Sequence, residues 1–503
     1  MNTSVLHGFL YICSVRNNYT KSFKAMCKGT KIISEISNFF QGNQKFALFQ
    51  AFSMLVEKMN VSNKMLGGDK KPNCKLTNLQ IFHLLLIMPF CDIKGISHYA
   101  NSVLSRMFSG KKDLFYQFLS QDGTDWRKVL YHTAKKMIDS IIIRTDYKDS
   151  DHPSVLIVDD TDLPKTGFRI EKIGRVFSHV SQRSILGFKA LTMCWSDGKT
   201  VLGLEQCLLG EEGQNEKKPQ GLTDKQRRSR YSIERGKETA GAKRIGEYMM
   251  SKCELIKNMV KRAIEKHIPF EYLLVDSWFT NTGLVDFVCR LHKKIHLLGM
   301  GKMGNTKYGT DWGELTAKAI LAKLQTAKKT KYSRALRCRY AVVDVTLGTR
   351  KVRLFFCRRT KAEKWKFLVC TNLKLDFMKA YRIYAMRWGI EVFYEDSKRY
   401  LGLSKCSCRN FTSQLAHVTL VTIQYNLMAY IKRFHNYETI GGLFRDTYLG
   451  LREITVIDCI WEAILEVVCI VAEILECDEE TVLKQVIADS RRMALLSQLA
   501  QTA

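Results

Sequence analysis

The chain lacks the cysteine spacings that mark zinc sites and disulfide frameworks. Among its 16 cysteines no two have the C-x-x-C spacing. The one close pair, Cys406 and Cys408, has no second pair or histidine set near it. Many of the others lie in apolar runs, as do Cys357, Cys370, Cys459 and Cys469. The pattern indicates buried thiols in a reducing compartment.

Membrane and secretion signals are also missing. No charged n-region precedes the short apolar stretch at the start, so the sequence does not predict a signal peptide. The longest apolar stretch, residues 456–475, is interrupted by four acids, which excludes a membrane span. They are Asp458, Glu462, Glu466 and Glu473. We therefore expect a cytoplasmic protein with no membrane partner.

Acidic residues are scarce relative to basic ones. Lys and Arg number 79 against 49 Asp and Glu, a formal net charge of +30 over 503 residues. Such an excess suits a protein that displaces counterions from a phosphate backbone, although a merely soluble or ribosome-associated basic protein would share it. Charge and size together favour nucleic-acid binding. The length predicts two to four domains.

Residues 1–148 form a helical region in the predicted organisation, because apolar residues recur at helical spacing in 46–59, 79–90 and 129–143. Basic residues punctuate this region: Lys21, Lys24, Lys28, Lys31, Lys70, Lys71, Lys111 and Lys112. The region is either a binding domain for DNA ends or a plain helical cap on the core.

In residues 149–300 the helical spacing gives way to strand patterns that alternate with helix patterns. Strands are predicted at 154–158, 187–195, 201–209, 272–275 and 295–300, with Gly198 in a hairpin turn and helices across 245–264 and 283–291. This order predicts an α/β fold with a mixed sheet, as in ribonuclease-H-like domains. The basic stretch 210–243, which includes Arg227, Arg228 and Arg230, is either a loop that orders on DNA or a solvated loop.

The remaining sequence divides into three predicted segments. Residues 301–372 are β-rich, with strands at 340–347, 352–357 and 365–370, and are interpreted as an insertion in the core. Residues 373–412 hold a long helix beginning near Asp376. Residues 413–503 are helical, and 455–485 carry eight acids and one lysine. That acidic helix either docks on a basic surface or a second subunit, or is an ordinary amphipathic cap.

Two acids, Asp160 and Asp276, stand at the ends of predicted strands, a common site position in α/β folds. Carboxylate pairs bind hard cations such as Mg²⁺. Two such ions can activate a water and stabilise the leaving oxygen of a phosphodiester. In a chain of this charge, the two acids together point to a metal-dependent site acting on nucleic acid.

A third element is the helix that carries Tyr384, Arg387, Glu391 and Lys398. Offsets of 3, 7 and 14 residues place the four on one stripe within about 60°. Amphipathic helices usually align apolar groups, so a polar stripe indicates a site. The carboxylate would complete a metal cage, and the cations would grip phosphates beside it.

These four residues match the Y-x2-R-x3-E-x6-K signature at every spacing, and the chain here resembles transposases of insertion-sequence family four. The segments Asp160-Thr161 and Asp276-Ser277 are similar to the first two motifs of that family. Segment 159–167 is likewise similar to first motifs of the superfamily, and a β-rich insertion before the glutamate is characteristic. The resemblance covers about residues 150–410.

The resemblance implies a ribonuclease-H-like (retroviral-integrase-like) catalytic core with a β-rich insertion, flanked by helical regions. It implies a catalytic and metal-binding triad of Asp160, Asp276 and Glu391 with two Mg²⁺ ions, for which Mn²⁺ would substitute. It further implies DNA contacts by Tyr384, Arg387 and Lys398. The expected partners are double-stranded transposon ends and target DNA, bound by a homodimer near the bacterial nucleoid. A nuclease without strand transfer and a silent DNA-binding derivative remain alternatives.

Several neighbouring residues compete for these roles. Asp159 and Asp162 rival Asp160, which is preferred because it directly precedes a threonine. Glu395 shares almost the same helix face as Glu391, and only the motif spacing selects Glu391. Each of Trp278, Phe279 and Trp388 either packs in the core or stacks on an unpaired base. His152 and His179 are interpreted as structural.

Overall fold

The computed structural model describes residues 55–449 except 57, 69–73, 75, 92, 94, 103–104, 106–109, 145–152, 292–293 and 436. The expectations for the first 54 residues, for Lys70, Lys71 and His152, and for the acidic helix at 455–485 lie outside the described residues. The chain divides into two units, one formed by residues 1–119 and 434–503 and the other by 120–433.

The described part of the first unit is helical. It contains α1 (Asn78–Ile87) and α2 (Lys112–Leu119), with short 3-10 segments at Asn63–Leu66, Met88–Cys91 and Ile96–Asn101. The hydroxyl of Thr77 caps α1 by accepting a hydrogen bond from the main-chain nitrogen of Gln80, and the side-chain oxygen of Gln80 accepts one from the main-chain nitrogen of Thr77. This reciprocal pair satisfies two of the free donors at the start of the helix. Apolar residues of α1 and α2, including Phe82, Phe115 and Phe118, form its core.

The second unit is built around a large mixed sheet. Its strands are β1 (Val155–Pro164), β2 (Gly174–Ser178), β3 (Arg183–Ser196), β4 (Val201–Leu209), β5 (Tyr272–Val275), β6 (His296–Gly301), β7 (Lys307–Thr310), β8 (Gly313–Thr316), β9 (Lys331–Ser333), β10 (Cys338–Leu347), β11 (Arg350–Arg358) and β12 (Lys366–Cys370). Their order is β2-β3-β1-β5-β6-β12-β11-β10-β7-β8, with β4 on β3 and β9 on β10. This confirms the mixed α/β class.

Helices surround this sheet. They are α3 (Trp126–Arg144), α4 (Asp224–Arg228), α5 (Ala240–Gly246), α6 (Lys252–Glu265), α7 (Thr282–Arg290), α8 (Ala317–Thr326), α9 (Phe377–Ala385), α10 (Trp388–Arg399) and α11 (Phe411–Phe434), with a 3-10 turn at Pro219–Gly221. None of the helices in the described ranges is long and apolar enough to cross a bilayer.

The apolar sequences of β1 and β5 account for the central position of these strands in the sheet. Residues Val155 to Val158 of β1 and all four residues of β5 are buried. Continuous apolar runs of this kind belong to strands covered on both faces. β1 runs antiparallel to β3 and parallel to β5, and β5 runs parallel to β6.

The helix α11 approaches the sheet closely at Gly203. The side chain of Asn426 accepts a hydrogen bond from the main-chain nitrogen of Gly203 at 2.7 Å and donates one to its carbonyl at 2.8 Å. A Cβ at Gly203 would lie 2.3 Å from Thr422. The register of β3 and β4 shifts at this point. Space therefore requires glycine here, and Asn426 bonds both main-chain groups of Gly203.

Two sequence expectations need correction. The helix expected across 245–264 is two helices, α5 and α6, because Ser251 caps a new start by accepting from the main chain of Glu254. The stretch 210–243, expected to be a loop, contains α4 and most of α5. The β-rich segment 301–372, interpreted as an insertion, joins the rest of the sheet through the pairing of β12 with β6.

Candidate active site at the ends of β1 and β5

The site begins where two parallel strands place acids beside each other. Val158 of β1 lies opposite Val275 of β5. The next residue along each strand is an acid, Asp159 on one and Asp276 on the other. β1 continues to Pro164, so Asp159 lies inside the strand while Asp276 follows the end of β5.

Asp159 faces the helix that carries the third acid. Its Oδ2 accepts a hydrogen bond from Nη1 of Arg387 at 2.9 Å, and Nη2 of the same guanidinium pairs with Glu391. The hydroxyl of Tyr394 donates to the main-chain oxygen of Asp159 at 2.8 Å. One guanidinium thus joins Asp159 and Glu391 across 232 residues of chain, and α10 is fastened to β1 at the same point.

Electrostatics also distinguish Asp159. The pKa of Asp159 is raised to about 6, chiefly by burial and also by the charges of Asp276 and Asp160, and the Asp160 main-chain NH and Arg387 oppose this rise. Crowded carboxylates of this kind favour a cation, because a positive charge relieves both their desolvation and their mutual repulsion.

The two rival acids on β1 are paired elsewhere. Asp160 accepts a hydrogen bond from Nζ of Lys252, at the start of α6, with 2.6 Å between nitrogen and oxygen. Asp162 pairs with Lys189 of β3. Neighbouring residues of a strand point to opposite faces. The geometry therefore favours Asp159 for the position that the sequence analysis assigned to Asp160 through its following threonine.

The remaining signature residues also lie against the two strands. The hydroxyl of Tyr384 donates to the main-chain oxygen of Val275 at 3.4 Å, and Nζ of Lys398 donates to the hydroxyl of Thr161 at 2.7 Å. Burial raises the pKa of Tyr384 and lowers that of Lys398. The structure thus brings Tyr384, Arg387, Glu391 and Lys398 to the same part of the sheet.

These residues lie on two consecutive helices, whereas their spacing in the sequence predicted one continuous helix. α9 ends at Ala385 and α10 begins at Trp388. Met386 and Arg387 between them keep helical dihedrals, and the main-chain nitrogen of Arg387 bonds to the oxygen of Tyr384 at 3.0 Å. The junction is a local tightening of the helix rather than a turn away from it, so the shared face survives.

The three arginines expected to bind DNA have different surroundings. Arg227 pairs with Asp224 within α4. Arg230 donates to the main-chain oxygen of Ile173 at 3.2 Å and to the side chain of Gln220 at 2.5 Å. Arg228 is exposed. Arg230 therefore holds its segment to the strand region beside β2, whereas Arg228 is accessible to a phosphate.

Sequence reasoning missed the pairing of Lys252 with Asp160, which no local motif marks. The preference for Asp159 had one available signal, the alignment of Val158 with Val275, but it requires knowing that the two strands are parallel neighbours. Trp278 lies directly beside the site. Its main-chain nitrogen donates to Oδ1 of Asp276 at 2.7 Å, and the residue is 62% exposed. Phe279 beside it is buried.

Within the described residues, no group of three or more His, Cys, Asp or Glu side chains is already arranged as a metal cage. The donors at the site nevertheless fit a hard cation, because Asp159, Asp276 and Glu391 all offer oxygen. The guanidinium of Arg387 lies between two of them and supplies a positive charge there.

Two family models match parts of the chain. Residues 100–291 match the family model described as DDE superfamily endonuclease, and residues 251–427 match the one described as Transposase DDE domain. The first match contains Asp159, Asp160 and Asp276, and the second contains Asp276 and Glu391.

The search of curated proteins finds no match. Among solved structures, the chain is similar to a piggyBac transposase synaptic complex with hairpin DNA, at 12% identity and a TM-score of 0.39 over 82% of this chain and 80% of that one. Taken together, the two family matches support a DDE transposase.

Proposed function

We propose that the chain is a DNA transposase that cuts phosphodiester bonds at the ends of a mobile element and joins the freed ends to target DNA. The observation that carries this proposal is the pairing of Arg387 with both Asp159 and Glu391 at the point where β1 runs beside β5, the strand that Asp276 follows. The strand order β4-β3-β1-β5-β6, antiparallel in its first two pairings and parallel in the next two, supports a ribonuclease-H-like core.

The three carboxylates would hold two Mg²⁺ ions, with Mn²⁺ as a substitute. Bound divalent ions supply activation of the attacking oxygen and stabilisation of the leaving oxygen. The chain's own residues position the DNA: Lys398, held by Thr161, reaches a phosphate, and Arg387 turns from the carboxylates to a second one. Tyr384 limits the movement of the junction between α9 and α10 through its bond to Val275.

The finer parts of the proposal follow from the signature Tyr384, Arg387, Glu391 and Lys398. They are membership of the insertion-sequence family four type, a bacterial element as the source, terminal inverted repeats as the substrate, and a homodimer in the complex that pairs the two ends. The DDE superfamily endonuclease match favours one second candidate, a metal-dependent nuclease that cuts without joining.

Four single substitutions test the site. We expect Asp159→Asn, Asp276→Asn and Glu391→Gln each to abolish Mg²⁺-dependent cleavage of the inverted repeats that flank the coding region, while DNA binding persists. Asp160→Asn is the matched control, because its carboxylate pairs with Lys252, and it should retain most activity. Cleavage is measured on labelled duplex ends.

The opposite pattern, with Asp159→Asn active and Asp160→Asn inactive, would return the first position of the triad to Asp160. Capture of cut ends in a target plasmid distinguishes the transposase from the nuclease. Cutting without any captured ends would favour the nuclease.

A further inference from the structure

An exposed cluster of rings lies beside the site and has no part in the proposed cutting chemistry. It consists of Phe177, His179 and Trp278, which we call the ring cluster. The centroids of Phe177 and His179 are 5.2 Å apart with their planes at 77°, and those of His179 and Trp278 are 5.5 Å apart at 46°. The three rings therefore form one continuous surface from the last residues of β2 to the segment that follows β5.

The ring cluster is unusual in its exposure. Trp278 is 62% and Phe177 37% exposed, and Val180 next to His179 is 95% exposed. A single exposed apolar side chain needs no explanation, but contacting rings that are open to solvent commonly mark a binding surface. Burial in the core, one of the two roles considered for Trp278, does not describe this side chain.

A positive charge accompanies the rings. Nζ of Lys302, just after β6, lies 4.6 Å from the centroid of Trp278. Cations at this distance are attracted to the ring face. Lys302 itself is exposed, so its ammonium group can contact a phosphate of a ligand while it remains over the ring of Trp278. The surface is thus aromatic and cationic together.

The position of the ring cluster is fixed by the proposed site. The main-chain nitrogen of Trp278 donates to Oδ1 of Asp276 at 2.7 Å. A phosphodiester held at the carboxylates would therefore have its neighbouring nucleotides within reach of these rings. Bases in a duplex are already stacked on both faces, so only an unpaired base offers its face to a protein ring.

We propose that the ring cluster stacks on an unpaired base of the DNA strand that enters the carboxylate site, with Lys302 contacting a phosphate of the same strand. This inference rests on the proposed function, because it takes DNA as the molecule held at Asp276. Aromatic surfaces beside cationic groups bind single strands with little sequence preference. The predicted ligand is therefore a frayed or single-stranded DNA end, whatever its sequence.

The test uses a fluorescent DNA duplex with a short unpaired oligothymidine flap and the same duplex without the flap. Affinities are measured by fluorescence anisotropy with the full chain and EDTA present, so that no cleavage occurs. We expect the flap to tighten binding roughly 5- to 150-fold, the range that stacking of one base supplies. Trp278→Leu should remove this preference and leave binding of the plain duplex unchanged.

Two further variants are matched controls. Trp278→Phe keeps an aromatic face and should keep most of the flap preference, whereas Val180→Ala trims an exposed apolar neighbour and should change nothing. Far-UV circular dichroism and melting temperature verify that each variant is folded. Equal affinity of the unmodified protein for both duplexes, or an unchanged flap preference in Trp278→Leu, would overturn the inference.

The two proposals fail in distinguishable ways. If Trp278→Leu keeps the flap preference while Asp159→Asn and Glu391→Gln abolish cleavage, the active site stands and the ring cluster is not a base-binding surface. If Trp278→Leu loses the preference while those carboxylate variants cut normally, the ring cluster stands and the proposed active site is wrong.

Discussion

At the scale of single residues, Arg387 supplies a positive charge to two acids of the proposed site. Its guanidinium pairs with both Asp159 and Glu391, and its side chain is only 17% exposed. A buried carboxylate without a positive partner is costly. The sequence motif identified Arg387 and Glu391 correctly as neighbours on one face. It assigned the first acid of the triad to Asp160, and our proposal of Asp159 in its place depends on which face of β1 packs against α10.

This role predicts a competition between Arg387 and Mg²⁺. In Arg387→Gln the two carboxylates lose their internal counter-ion, so the metal-free protein should melt at a lower temperature. Added Mg²⁺ should then raise the melting temperature more in Arg387→Gln than in the unmodified protein. The measurement is a thermal shift across a Mg²⁺ titration, with Arg382→Gln, an exposed arginine of α9, as control. Equal Mg²⁺ shifts in all three proteins would contradict the competition.

At the scale of elements, a buried ion network ties three helices to β4. Glu205 of β4 is 1% exposed. It pairs with Arg127 of α3 and Arg262 of α6, each at 2.7 Å, and accepts from the hydroxyl of Tyr131 at 2.9 Å. Glu247 joins the same cluster through Arg127 at 2.5 Å. Although its burial acts in the opposite direction, Arg244 and Arg127 lower the pKa of Glu247.

Glu205→Gln should destabilise the protein strongly, because it removes the buried carboxylate that pairs with the guanidinium groups of Arg127 and Arg262. We expect a loss of about 3–5 kcal/mol in the free energy of unfolding, the usual cost of removing one partner of a buried ion pair. Urea titration followed by circular dichroism measures it. Glu254→Gln, which affects an exposed pair with Lys257, should cost about 1 kcal/mol or less. Similar losses in the two variants would refute the role of the network.

Sequence patterns predicted some strands of the second unit at both ends but missed two junctions between helices. The strands at 201–209 and 272–275 match the structure at both ends, because each is an apolar run bounded by a turn or an acid. The junctions at Ser251 and at Met386–Arg387 were missed. Apolar spacing continues across both junctions, and the caps that separate the helices depend on backbone geometry that spacing alone does not reveal.

At the scale of the whole molecule, the net charge of +30 is distributed unevenly between structural and accessible groups. Arg127, Arg235, Arg244 and Arg433 are largely buried in ion pairs with acids. Lys225 and Arg228 on α4 are exposed. Composition alone predicted a polyanion partner for the chain, but it could not separate the cations that fold the protein from those that reach DNA.

The double variant Lys225→Ala with Arg228→Ala should bind duplex DNA more weakly and with a smaller salt dependence. If each side chain contacts one phosphate, the slope of log affinity against log salt should fall in magnitude by about two. Anisotropy titrations at several salt concentrations measure the slope. Lys261→Ala with Lys266→Ala, near the far end of α6 from Lys252, is the matched control. An equal change of slope in both double variants would remove α4 from the DNA-binding surface.

The bond from Tyr394 to the main chain of Asp159 has a consequence for how β1 tolerates change in length. Residues 155–158 are apolar and buried. A slip that brought Asp160 to the place of Asp159 would carry Asp159 into the buried place of Val158 and would turn every side chain of β1 to the other face. The buried run and the bond from Tyr394 therefore hold the same register, and we expect an insertion or deletion of one residue within 155–158 to disrupt both.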